Sequence, residues 1–321
     1  MYQPKLNLLE TEVAIKYVKD NFEKLLANKL NLIRVSAPLF VESTTGLNDD
    51  LSGNEKAVSF DIKSLNKHVE IVQSLAKWKR FALNKYRIMP NMGLYTDMNA
   101  IRKDEEVDNI HSIYVDQWDW EKVISDNERT LEYLFKVVKD IYYVLLQTQN
   151  LVNTKYPCFH DKLPESIFII SSEELLKLYP ECSSKQREYL ITKKHKAVFI
   201  YQIGHKLSNG LSHDTRAADY DDWNLNGDIL VYDEMLDIAL ELSSMGIRVN
   251  KDSLNEQLTI KNELNKINNP YCQALINDEL PLTIGGGIGQ SRLCLFFLEK
   301  MHIGEVQSSI WNNEDYKYKL L

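Results

Sequence analysis

The sequence predicts an α+β fold, a mainly antiparallel β-sheet flanked by helices. Three patterns lead there. Apolar residues recur at helical spacing in two long stretches, around 15–26 and 131–145. A β-rich run, Ile229 to Tyr232, precedes a strictly alternating segment, as in a hairpin whose second strand is half buried. Short connections dominate, and the regular βαβ alternation of a parallel sheet is missing.

Taken in order, the first helix is marked by Ile15, Val18, Phe22, Leu25 and Leu26, with Asn7 and Glu10 spaced as a capping box. An extended segment, Ile33 to Phe40, follows and contains Pro38. Leu131, Leu134, Val138, Ile141 and Leu145 mark one face of a second helix. Ser171 and Glu174 open another, carrying Leu175 and Leu176, and Ala197 to Ile203 reads as a strand. The turn dipeptide Asn226-Gly227 introduces the run at Ile229. Beyond Asp233 and Glu234, Leu236, Ile238, Leu240 and Leu242 face one way, and Asp237, Ala239, Glu241 and Ser243 the other.

A chain of 321 residues holds one large domain or two ordinary ones, and no repeat, low-complexity tract or Pro/Gly/Ser-rich linker divides it, so one domain over 1–321 is expected. Apolar residues make up 44% of the chain, enough for a core without disulfides or structural metal. The net charge of -8 argues against a dedicated nucleic-acid surface. Cys158, Cys182, Cys272 and Cys294 form no C-x-x-C pair and read as reduced thiols. Met1 to Glu10 has no basic region followed by an apolar stretch and does not read as a signal peptide, and no apolar run approaches the ~20 residues of a membrane span. A soluble, cytoplasmic protein is expected.

Four segments are polar where a fold does not require it. Leu47 to Lys56 is either a solvated acidic turn or a loop presenting Asp49 to a small amine. Ser74-Leu75-Ala76-Lys77-Trp78-Lys79-Arg80 is either an exposed basic helix face or a site for a carboxylate or phosphate. Its S-x-x-K pattern lacks the S-D-N and K-T-G companions of the serine hydrolases. If 113–121 is a strand, Gln117, Asp119 and Glu121 share one face, and Trp118 and Trp120 the other, toward the core. Leu282 to Leu293 reads as a strand running through glycines into a helix that carries Arg292. Neither the dinucleotide fingerprint nor the P-loop fits it, since Gln290 stands at the last glycine of the first and Gly-Lys-Ser/Thr is missing from the second.

Together these segments carry a resemblance. Arg102, Asp104 and Glu105 with the strand Tyr114 to Glu121 resemble motif 2 of class II aminoacyl-tRNA synthetases, and Gly287 to Leu293 resembles motif 3. The first helix with Pro38 resembles motif 1, the dimer interface of that group. Asp50-Leu51-Ser52-Gly53, the Ser74–Arg80 run, Asp219-Tyr220-Asp221-Asp222-Trp223 and Glu241 to Arg248 are similar to the ammonia-dependent asparagine synthetases, and the likeness spans nearly the whole chain.

The resemblance implies ATP-dependent amidation of L-aspartate by ammonia through a β-aspartyl-adenylate, with release of AMP and pyrophosphate. It implies a homodimer with no tRNA or other nucleic acid as partner. Arg102 would take the α-phosphate, with Arg292, Glu105, Ser112, Gly287 and Gly289 around the nucleotide. Asp228 and Glu241 are the candidates for Mg2+. Lys79 and Arg248 would meet the α-carboxylate, Asp119 and Asp221 the amino group. Ser74, Ser243 and Ser244 would supply hydrogen bonds, Gln117 would orient the reacting carboxyl, and Asp49 would act on ammonium. Two other functions fit the same fold: a paralogue that passes an adenylated amino acid to another acceptor, and a non-catalytic regulatory protein.

Overall fold

The computed structural model describes residues 2–48, 51 and 55–321. In chain order the elements are α1 (Leu8–Leu30), β1 (Leu32–Arg34), β2 (Phe40–Glu42), β3 (Ser59–Ile62), β4 (Lys67–Ile71), α2 (Ala76–Lys85), β5 (Gly93–Ile101), β6 (Tyr114–Val123), α3 (Leu131–Lys155), β7 (Phe168–Ser171), α4 (Ser172–Leu178), α5 (Ser184–His195), β8 (Ala197–Tyr201), β9 (Asp221–Asp233), β10 (Ile238–Arg248), α6 (Lys251–Lys261), α7 (Pro270–Ile276), β11 (Thr283–Gly289) and α8 (Gln290–Phe297).

Among the described residues an eight-stranded sheet runs β1-β5-β6-β11-β10-β9-β8-β7. Its inner pairings are antiparallel, but both edge pairings, β1 with β5 and β7 with β8, are parallel. The sheet is therefore mixed, which corrects the mainly antiparallel expectation. Parallel neighbours need crossovers, and the chain supplies them: α4 and α5 join β7 to β8, while a small sheet and α2 separate β1 from β5. That small sheet, β2-β4-β3, takes only Phe40 of the predicted Ile33–Phe40 segment, whose first residues, Ile33 and Arg34, lie in β1. The extended stretch thus serves two sheets.

The local signals hold where they are strong. Asn7 and Glu10 form the capping box of α1, and Ser171 and Glu174 that of α4. Asn226-Gly227, read as a turn, lies inside β9. The Asn226 side chain there bonds both backbone groups of Ile203, at 2.9 and 2.8 Å. A Cβ on Gly227 would sit 2.3 Å from the Ile200 carbonyl, so the glycine serves strand approach. The β9–β10 turn comes after Asp233, whose Oδ1 accepts from the backbone N–H groups of Met235 and Leu236, and Asp237 adopts φ 54°.

One face of the sheet carries the main core. Ala14, Val18, Phe22 and Leu26 of α1 and Leu134, Val138, Ile141 and Leu145 of α3 pack with Trp118 and Trp120 of β6. Both tryptophans are fully buried, and the Phe22 and Trp118 rings lie 4.9 Å apart. Because side chains alternate along a strand, this seating turns Gln117, Asp119 and Glu121 to the other face. No helix among the described residues is long and apolar enough to cross a membrane, and all four cysteines are free.

Phe22→Ala should remove about 3–5 kcal/mol of stability by opening a cavity against Trp118. Urea unfolding followed by tryptophan fluorescence measures it, and a loss under about 1 kcal/mol would place the support for this face of β6 elsewhere.

Candidate functional site

The polar face of β6 forms the floor of a cavity of about 400 Å³. Its neighbour β11 brings glycine opposite each polar residue: Gly285 pairs with Glu121, Gly287 with Asp119 and Gly289 with Gln117. A Cβ on Gly285 would lie 2.0 Å from Glu121 Oε2 and 2.7 Å from Arg248 Nη2. On Gly287 it would lie 2.3 Å from Gln117 Oε1 and 3.1 Å from Asp119 Oδ1. These glycines leave room for the polar row to lie across the sheet. Gly289 differs, since a Cβ there meets only Arg292 at ordinary contact distance.

The floor is a buried charge cluster. Arg248, at the end of β10, clamps Glu121 through Nε (2.9 Å to Oε1) and Nη2 (2.8 Å to Oε2), and its Nη1 binds Asp221. Thr283 donates to Glu121 Oε1 at 2.7 Å. Lys79 donates to Asp119 Oδ1 at 2.9 Å and to the carbonyls of Trp120 and Gly286 at 3.1 and 3.2 Å. Burial pushes the Glu121 carboxyl up, but Arg248 and then Lys79 outweigh it and hold the group below its ordinary value. Burial raises Asp221, and Arg248 offsets this only in part. Two cations against three carboxylates leave one excess negative charge. Asp119 Oδ2, buried and without a hydrogen-bond partner, marks where a cationic group is wanted.

The structure removes one of the two readings of the Ser74–Arg80 run. It is not an exposed basic face, for Lys77, Lys79 and Arg80 are all buried. Lys77 pairs with Asp219 at 2.6 Å, and Arg80 binds the carbonyls of Val249 and Pro281. Only Lys79 of the three lines the cavity. Its three protons are already committed, so direct contact with a ligand carboxylate requires exchange of one bond. Ser74 also lines the cavity and accepts from the Ala76 N–H.

Other walls supply guanidinium groups. Arg102 lines the cavity with Glu105 and Ser112, and its buried Nε has no partner. Arg292 reaches in from α8, where Nη1 donates to the Glu241 carbonyl at 3.1 Å. A bulge between Glu241 and Ser243 breaks the alternation of β10, and Ser243 and Ser244 both line the cavity as a result. Ser243 Oγ is buried and without a partner. Asp228 lies beside this wall, and burial and Glu241 push its carboxyl up against the opposing effect of Arg216. Asp49 lies outside the described residues.

Sequence reasoning missed Arg216 and His111. Arg216 donates to Asp214 Oδ2 at 3.0 Å and contacts Asp228 Oδ2. His111 is held by Asp108 at 2.9 Å. Both lie on irregular connections, where periodicity is silent. Asp214-Thr215-Arg216, a few residues before the Asp219–Trp223 segment, was the available signal.

Among the described residues no three or more His, Cys, Asp or Glu side chains converge as a metal cage. Two carboxylates do suit Mg2+, which keeps waters and substrate phosphates as its remaining ligands. Asp228 Oδ1, buried and without a partner, and the nearby Glu241 fit that pattern.

The aspartate-ammonia ligase family model matches residues 9–319. The aspartate–ammonia ligase of Fusobacterium nucleatum is 57% identical over 313 residues, covering 98% of this chain and 95% of that protein. That of Ruminiclostridium cellulolyticum is 55% identical over 314 residues, covering 98% and 94%. Asparaginyl-tRNA synthetase from Pyrococcus horikoshii, solved with asparaginyl-adenylate, superposes with a TM-score of 0.65 at 18% identity, covering 92% of this chain and 68% of that one. Aspartyl-tRNA synthetase from Entamoeba histolytica gives 0.62 at 14%, covering 92% and 58%. At those identities the likeness shows the fold, that of class II synthetases.

Glu121→Gln should cost about 3–5 kcal/mol, because Arg248 and Lys79 lose a buried partner. The folded pKa of Glu121 is lowered. Its contribution is thus complete above the unfolded value of about 4.3 and lost as pH falls through the folded one. The acid limb of stability against pH should be shallower in the variant, and urea midpoints across that range would reveal an unchanged slope.

Proposed function

The chain belongs to the aspartate–ammonia ligase family, and on that premise we propose how its cavity carries the reaction. The enzyme makes L-asparagine from L-aspartate and ammonia. Our reading is that ATP first converts the β-carboxylate into a leaving-group ester. A β-carboxylate oxygen attacks the α-phosphorus, pyrophosphate departs, and a β-aspartyl-adenylate remains. Ammonia then adds to the acyl carbon, loses a proton, and displaces AMP.

The observation that carries this reading is the unbalanced charge cluster on the cavity floor. Its excess negative charge and the unpartnered Asp119 Oδ2 suit the ammonium group of an amino acid. Asp221 adds to that field. Arg248 and Lys79 supply positive charge for the α-carboxylate, Lys79 by giving up a carbonyl bond. Gln117, lying across Gly287, orients the β-carboxylate, and Ser74, Ser243 and Ser244 offer hydroxyls.

Negative charge grows on the α-phosphate as pyrophosphate leaves. Arg102 has an unused buried Nε–H for it, and a preorganised donor of this kind lowers a barrier without reorganisation. Arg292, Glu105, Ser112 and the Gly287–Gly289 backbone line the space for the rest of the nucleotide. Asp228 and Glu241 are the residues that would hold Mg2+, whose bound form neutralises the polyphosphate. Asp49 is our candidate for taking the proton from ammonium. We also read the α1 side as a homodimer interface, since Leu8, Leu9 and Val13 are exposed apolar side chains there.

Purified protein given L-aspartate, Mg-ATP and ammonium should form asparagine in step with AMP and pyrophosphate. AMP formation without asparagine would mean another acceptor. Arg102→Ala should lower aspartate-dependent pyrophosphate exchange by about 10²–10³-fold. Asp49→Asn should keep that exchange and lose asparagine formation, whereas equal loss of both would move Asp49 to substrate binding.

A further inference from the structure

We propose that Arg216 holds, in the free enzyme, the place beside Asp228 that a divalent cation takes, and that the two cations exchange. The inference rests on the reading of Asp228 and Glu241 as metal-holding residues.

Arg216 lies on the connection between β8 and β9, and its side chain is 12% exposed. Its guanidinium is shared between two carboxylates, with Nη1 on Asp214 Oδ2 at 3.0 Å and Nη2 on Asp228 Oδ2. Nη1 also reaches the Thr215 carbonyl at 3.1 Å. Glu241 acts on the same guanidinium and on Asp228. Asp228 is nevertheless incompletely satisfied: Oδ2 carries the arginine and the Ser244 hydroxyl acts on the carboxyl, but the buried Oδ1 has no hydrogen bond of ordinary geometry. One carboxylate oxygen is bound by a cation of this chain, and the other stands ready for one that is not part of it.

A buried carboxylate such as Asp228, with the half-buried Glu241 adding its field, needs a counter-charge in every state of the enzyme. A guanidinium cannot become neutral, so it must move if another cation arrives. Arg216 can move without leaving its loop, because Asp214 and the Thr215 carbonyl keep Nη1 when Nη2 is released. The carboxylates are then neutralised before and after metal entry. The cost is a lower affinity for free metal, since the competent site is only fractionally populated. Metal is therefore taken up chiefly with ATP, whose phosphates supply the remaining ligands.

The test is Mn2+ binding to the full-length protein without nucleotide, read as loss of the free-ion paramagnetic resonance signal. Wild type should bind weakly, and Arg216→Met about tenfold or more tightly. Arg216→Met with Asp228→Asn should lose that gain. An Arg216→Met affinity equal to wild type overturns the proposal. Should Arg216→Met fail to fold, millimolar Mn2+ or the added Asp228→Asn change should restore folding, and restoration by neither overturns it as well. The underlying reading is checked separately by Asp228→Asn with Mn2+ and ATP. Unchanged Mn2+ retention in that ternary complex refutes the metal assignment itself, whatever Arg216 does.

Discussion

Glu121, with no exposure to water, is gripped on both oxygens by Arg248, and the rest of the cavity is arranged around that pair. A buried charge is tolerated only when paired and hydrogen-bonded. Meeting that condition draws in Thr283 from β11, Lys79 from α2 and Asp221 from the start of β9. The pair also dictates what lies beneath it, because a side chain on Gly285 would occupy the space of the Glu121 carboxylate. Fold and site are one problem here: the central strands must approach closely so that long polar side chains can lie flat across them.

A strand with this division of labour has little freedom. On β6 the tryptophans fill the helix-covered face while Gln117, Asp119 and Glu121 line the other. A slip of one residue would bury the carboxylates in the apolar core and put indoles in the cavity. Register is thus set by two opposite demands, and breaking either is costly. β10 meets a different need. Its bulge forfeits a ladder position and brings adjacent serines to the same cavity.

The charges support the proposed seating of a zwitterion beside a polyphosphate. The floor carries an excess negative charge, and Arg102, Arg216 and Arg292 stand in its walls. A low-dielectric setting strengthens each of these interactions. The free protein is left with unpartnered groups, Asp119 Oδ2, Ser243 Oγ and the Arg102 Nε–H. Such groups are a cost in the empty site and a source of selectivity in a filled one, since each demands a particular ligand atom.

Much of this was determined by sequence alone. Capping boxes and helical spacing are local, so α1, α3 and α4 could be read directly. The alternation in β6 assigned Trp118 and Trp120 to the core and the acids to the opposite face, and long motifs containing tryptophan carried the family likeness. Tertiary structure alone decided what depends on contacts distant in sequence. The parallel sheet edges arise from crossovers that local turn signals do not encode. Asn226-Gly227 is a turn by propensity but a strand segment by packing against Ile200 and Ile203. Whether Lys77, Lys79 and Arg80 face water or buried partners depends on Asp219, Asp119 and the carbonyls of Val249 and Pro281. Arg216 lies in irregular chain with no period to read, and only its meeting with Asp228 gives it meaning. Periodicity reports which side of an element is buried, and the fold decides what waits there.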